Sequence, residues 1–155
     1  MTSAAPTDPA SPADPAARVA ASFAKQGLMR TLGARLCEVA PGKVEIELRP
    51  HPGVSQQHGF VHAGAVSAIA DSAAGYAALS VMPPEAGVLT AEFKINLVAP
   101  AKGERIVARG RVVKAGRTLV LSQAEVFAIT GAAERLVAVL TATMMAVIGR
   151  DGISD

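Results

Sequence analysis

The segment GAVSAIADSAAGYAALSV, from Gly64 to Val81, constrains this chain more than any other. It is long enough for about five turns of helix, contains no proline, and carries a single charge, Asp71. A helix that is apolar around nearly its whole circumference must be surrounded by other elements. Those elements read as strands. ARLCEVA and KVEIELRP, separated by Pro41 and Gly42, form a hairpin in which Val44, Ile46 and Leu48 alternate with Glu45, Glu47 and Arg49. Beyond Pro83 and Pro84, LTAEFKINLVAP places Leu89, Ala91, Phe93, Ile95 and Leu97 on one face. ERIVARGRVVK, RTLVLSQAEVFAI and ERLVAVLTATMMAVIG follow with short turns, and the last of them, apolar on both faces, is expected to be a central strand. Four consecutive strands after one long helix predict an α+β domain, an antiparallel sheet curled around that helix, rather than βαβ units.

The rest of the chain fits a single domain. ARVAASFAKQGLMRTLG, ahead of the first hairpin, repeats apolar residues at helical spacing and meets Gly33, so a helix is expected there. Residues 1–15, rich in Pro, Ala, Ser and Asp and without the basic start and apolar centre of a secretory signal, are expected to be a disordered tail. Residues 16–150 form the domain and 151–155 a short C-terminal tail. Half of the 155 residues are hydrophobic, yet only four Phe and one Tyr supply aromatic bulk, which implies close packing of small side chains. A net charge of +2 without a basic block argues against nucleic acid as a partner. No apolar run reaches membrane-spanning length, and the lone Cys37 reads as a small core residue in a reducing compartment, so a cytoplasmic protein is expected.

At 100° per residue, Gly64, Ser67, Ala68, Ala74, Gly75 and Ala78 fall within about 60° of Asp71, while Val66, Ile69 and Tyr76 fall on the other side. The carboxylate therefore lies in a groove of small residues. An aspartate is ordinarily solvated or satisfied by backbone donors, but this helix offers no Lys or Arg as a partner and little water. Such a group is expected to have a raised pKa or to act as base or nucleophile. At the helix start, the N–H groups around Ala63, Gly64 and Ala65 lack intrahelical acceptors and can stabilise an oxyanion. Together these features suggest acyl transfer.

HGFVHAGAVSAIADSAAGYAA, with the strand LTAEFKINLVAP, resembles the signature of the phenylacetate-degradation (PaaI-like) group of hotdog-fold acyl-CoA thioesterases, over roughly Phe23 to Ile148. The resemblance implies a hotdog fold, a homodimer or homotetramer with active sites at the dimer interface, and hydrolysis of an acyl-CoA thioester without metal or cofactor. By position, Asp71 matches the catalytic carboxylate, as general base or nucleophile. Ala63 falls on the glycine whose N–H polarises the thioester carbonyl, and Gly64 on the next glycine. Gln56 falls where the family usually has Asn, and Thr90 near a hydroxyl residue that in some members holds the attacking water. Alanine at 63 adds a methyl group and glutamine at 56 a longer arm, but neither removes a group that the mechanism needs.

His58 and His62 stand four apart without a glutamate between them or a third ligand nearby, so no metal site is expected. His62 is read as a local cap at the substrate-binding loop rather than as a base. Arg109, Arg111 and Arg117, around one hairpin with Lys114, are candidates for the CoA phosphates, with a solvated strand face as the equal alternative. A non-catalytic acyl-CoA-binding module would use the same groove. A hotdog hydratase or dehydratase would usually show an Asp and His in one short motif, which is not found here.

Overall fold

The structure, a computed structural model, describes residues 14–153. The tail expected over residues 1–15 lies outside this range except for Asp14 and Pro15, which open the first helix. In α1 (Pro15–Lys25) Asp14 is the N-cap, its carboxylate accepting from the Ala16 N–H at 3.1 Å, and the proline occupies a first-turn position where no donor is needed. The single helix expected here is broken at Gln26, whose extended ψ of 108° ends α1 and starts α2 (Gly27–Leu32). Gly33, at φ +69°, closes α2 in the left-handed conformation.

The hairpin β1 (Arg35–Ala40) and β2 (Lys43–Leu48) leads through a short 3-10 turn at Pro52–Val54 into the central helix α3 (Ala63–Leu79). After it come β3 (Gly87–Leu97), β4 (Arg105–Ala115), β5 (Leu119–Thr130) and β6 (Ala133–Val147). All six strands form one antiparallel sheet in the order β1-β2-β4-β5-β6-β3, and α3 packs against β2 through β6. As the apolar pattern of β6 predicts, that strand is flanked on both sides, whereas β3 and β1 are the sheet edges.

The backbone of the helix packs directly on the sheet because β4 offers it no side chain at Gly110. A Cβ there would lie 2.2 Å from the Ala73 carbonyl oxygen and 2.7 Å from the Ala74 nitrogen. Ala74, Gly75 and Ala78, expected to belong to the open groove, are buried, and of the three Gly75 alone borders the cleft beside Asp71. At the other end, Arg18 of α1 donates to the carbonyl oxygens of Leu79 (3.5 Å), Met82 (3.2 Å) and Ala86, placing a cation at the negative end of α3.

Two expectations need correction. Cys37 lies exposed on edge strand β1, since a bulge between Leu36 and Glu38 interrupts the alternation there. In β3 a bulge between Thr90 and Glu92 moves the pattern by one residue. Thr90, Phe93, Ile95 and Leu97 oppose the inward residues Met144, Ala142, Leu140 and Ala138 of β6, and Leu89 is left on the outer face. Phe93 and Leu97 nevertheless stay 44% and 52% exposed, on a strand that is paired on one side only.

Candidate active site

Asp71 lies midway along α3, half-buried, where the helix turns its small-residue face toward β3. The bulge brings Thr90 round to the helix side, and its hydroxyl donates to Asp71 Oδ1 at 2.9 Å. No guanidinium or ammonium forms an ion pair with Asp71 among the described residues. Burial pushes the carboxyl above its ordinary pKa, and the Thr90 hydrogen bond opposes that only in part. The result is a carboxylate with one oxygen held and the other available, in a cleft of about 230 Å³.

Gln56, His62 and Ala63 gather around a second cleft, of about 560 Å³, walled by Val66, Leu97 and Val98. His62 is the N-cap of α3: its Nδ1 accepts from the Gly64 N–H at 2.8 Å, which requires the tautomer with Nδ1 unprotonated. A Cβ on residue 64 would come 3.1 Å from that nitrogen, so the glycine makes room for the cap. The Ala65 and Val66 N–H groups donate to the His62 carbonyl at 3.0 and 3.1 Å. The Ala63 N–H is thus the first-turn donor left without an acceptor among the described residues. Gln56 closes the preceding loop, its side-chain oxygen accepting from the His58 N–H and its backbone N–H donating to Phe60 O at 2.8 Å.

The three arginines do not reach either cleft. Gly110 faces α3, so Arg109 and Arg111 beside it project from the opposite face of the sheet. Arg109 donates to Glu45 at 3.0 Å and to both oxygens of Glu134 at 2.8 and 2.7 Å, and its guanidinium stands 4.9 Å from the centre of the Phe127 ring. Arg111 donates to Gln123, and Arg117 is exposed in the β4–β5 turn. No cluster of three or more His, Cys, Asp or Glu able to hold a metal occurs among the described residues, and no helix there is long and apolar enough to cross a membrane.

One part of the Asp71 cleft is invisible to local sequence patterns. Ser22, Lys25 and Gln26, at the junction of α1 and α2, form its wall, and Ser72 donates to Gln26 Oε1 at 3.3 Å. These residues lie more than forty positions from Asp71, and their helical spacing signals only that α1 has a buried side.

A six-stranded antiparallel sheet curled around one long helix, with a desolvated carboxylate at the middle of that helix, defines a hotdog-fold protein with an acid-bearing site. The chain belongs to the thioesterase superfamily, whose pattern matches residues 58–134. It is 51% identical to a thioesterase family protein from Silicibacter pomeroyi, with a TM-score of 0.85 over 87% of this chain and 99% of that one. It is 25% identical to the 1,4-dihydroxy-2-naphthoyl-CoA hydrolase of Listeria monocytogenes over 118 residues, 76% of this chain and 94% of that protein. The PaaI protein of the Escherichia coli phenylacetic acid degradation operon shares the fold at 15% identity, with a TM-score of 0.77 over 88% of this chain and 95% of that one.

Proposed function

We propose that the protein hydrolyses an acyl-CoA thioester in the PaaI-like manner, at a site completed by a second copy of the chain. The observation that carries this reading is Asp71: a carboxylate half out of water, held by one hydroxyl and without an ion-pair partner among the described residues. The Listeria relative supports the substrate class, since it is named as a CoA thioester hydrolase.

Asp71 and the free N–H of Ala63 lie eight residues apart on one helix, about 12 Å along its axis. A single thioester carbonyl needs both within roughly 3 Å of its reacting atoms, so they cannot serve the same substrate within one chain. A two-fold copy paired along edge strand β3 would bring the helix start of one protomer to the carboxylate of the other. The same copy would cover Phe93, Leu97 and Val98, the exposed apolar residues beside that edge.

In the reaction, Asp71 Oδ2 takes a proton from water while the hydroxide forms its bond to the carbonyl carbon. The oxygen becomes an oxyanion at the partner's Ala63 N–H, and collapse breaks the C–S bond, the sulfur leaving with a proton as free CoA. If Asp71 attacks directly, it forms an anhydride that water opens. A single turnover in ¹⁸O-water identifies the anhydride route when water opens the anhydride at the Asp71 carbonyl carbon, since that leaves label in Asp71. Gln56 and His62 shape the carbonyl end of the cleft. Of the three candidate arginines, Arg117 has no side-chain hydrogen-bond partner among the described residues and is free to meet a CoA phosphate.

A panel of acyl-CoA thioesters assayed by thiol release tests the reading, with Asp71→Asn as the control. Turnover by the native protein and its loss in the variant are expected. Tight binding of the panel without thiol release would instead identify a binding module.

A further inference from the structure

The cleft beside Asp71 is more polar than an alkyl chain requires, and its shape limits what can enter. Its volume is about 230 Å³, against about 560 Å³ for the cleft at the helix start. Its floor is opened by Gly75, and its far wall joins Tyr76 and Ser22, both more than nine-tenths buried, with their hydroxyl oxygens 3.3 Å apart. The wall facing solvent is the α1–α2 junction, latched over the cleft by the Ser72–Gln26 hydrogen bond and by the contact of Phe23 with Tyr76, ring centres 5.9 Å apart.

Lys25 is the one cation lining this cleft, and it forms no ion pair among the described residues. Other basic side chains do find acids: Arg35, Arg49, Arg105 and Arg109 are all paired with glutamates on the outer face of the sheet. The carboxylate that shares the cleft with Lys25 is bound to Thr90 instead. An alkyl tail entering here would displace water from the Lys25 ammonium without replacing its hydrogen bonds, which disfavours it. An acyl group with its own terminal carboxylate would satisfy the ammonium.

We propose that this cleft is the acyl pocket, that it selects a short acyl group ending in a carboxylate, that is, the mono-CoA thioester of a dicarboxylic acid, and that Lys25 is the residue that determines the preference. The proposal rests on the thioesterase reading for the identity of the reacting bond, but not for the role of Lys25 in binding.

Glutaryl-CoA and pentanoyl-CoA, which have the same five-carbon acyl chain and differ in the terminal carboxylate, are the probes. In the native protein kcat/KM is expected to favour glutaryl-CoA about tenfold or more. Lys25→Gln should reduce that ratio at least tenfold, and Lys25→Glu should invert it, with melting curves recorded for each variant. In parallel, the Kd of both thioesters is measured by titration calorimetry on Asp71→Asn, with and without Lys25→Gln. Hydrolysis of both probes at a ratio that neither Lys25 variant changes would overturn the acyl assignment and leave the thioesterase reading standing. A Lys25-dependent ratio in Kd without thiol release from the native protein would overturn the thioesterase reading and leave the assignment of Lys25 standing. Absence of discrimination in both measurements overturns the assignment whatever the turnover.

Discussion

Two sequestered carboxylates in this chain have opposite surroundings. Asp71, on the helix, has one neutral donor and no ion-pair partner among the described residues, and burial drives its pKa up. Glu47, on the outer face of β2, is only 3% exposed, yet it is gripped by Arg35 at 2.9 Å, Arg105 at 3.0 Å and Arg49 at 3.3 Å. Burial alone would raise its pKa as well, but the three guanidiniums outweigh that and bring it down to about 2. Desolvation is common to both. What separates the two is whether the fold supplies a counter-charge. The three arginines come from β1, the end of β2 and β4, so Glu47 ties neighbouring strands together.

The contrast can be broken most severely at Asp71. Asp71→Asn keeps the shape but can neither take a proton nor attack, so kcat should fall about 10³-fold. Its stability should move the other way. A folded-state pKa above the unfolded value means that the ionised form is disfavoured in the fold, so stability is lost as pH rises from the ordinary value of 3.8 through the raised pKa and stays lower above it. The amide removes that cost, so the melting temperature at neutral pH should rise. Wild-type turnover in this variant would remove Asp71 from the mechanism.

A second, smaller loss is expected at the other half of the site. Ala63→Pro deletes the free N–H in a first-turn position that tolerates proline and should lower kcat about 10²-fold with the fold retained, whereas Ala63→Gly should be tolerated. If the two halves act across a dimer, as proposed, a 1:1 mixture of Asp71→Asn and Ala63→Pro chains, unfolded and refolded together, should regain activity that neither has alone. Failure of the mixture to recover any would show that both groups act within one protomer.

Glu47 should respond in stability rather than rate. Its depressed pKa contributes stability that is complete above the ordinary value of 4.5 and lost as pH falls toward about 2. Glu47→Gln should cost about 1–2 kcal/mol at neutral pH, since the arginines stay largely solvated, and should flatten the acid limb of a melting-temperature profile. The smallest change is expected from Thr90→Val. Loss of the hydroxyl removes the hydrogen bond that favours the ionised form, so the acid limb of the kcat profile should shift to higher pH while the plateau falls only a few-fold. An unshifted limb would mean that Thr90 does not tune Asp71.

Asp71 was legible in the sequence because it interrupts a long apolar helix, and the sheet because period two is visible in each strand. The hydroxyl at Thr90 was accessible only through family resemblance. Its rotation toward the helix depends on a bulge, which local alternation does not encode, and the same bulge misplaced Leu89. The arginine cage of Glu47 was hidden for a related reason. Glu45 and Glu47 looked like the wet face of a hairpin, and only the register Glu45↔Arg109 and Glu47↔Val107 sets β2 so that guanidiniums from three strands close over that face. Lys25 and Gln26 were missed because their relation to Asp71 is purely tertiary.

Gly110 extends these considerations to a residue that lines neither cleft. The backbone of α3 rests on β4 at a point where there is no side chain, two and three residues past Asp71 along the helix. A single methyl group inserted there would act as a shim, lifting the middle of the helix away from the sheet and carrying the carboxylate out of alignment with the hydroxyl of Thr90. Gly110→Ala should therefore mimic a lesion in the site while leaving every group in it chemically intact. In a random mutagenesis screen for lost turnover, the floor beneath the helix should yield variants as readily as the cleft itself.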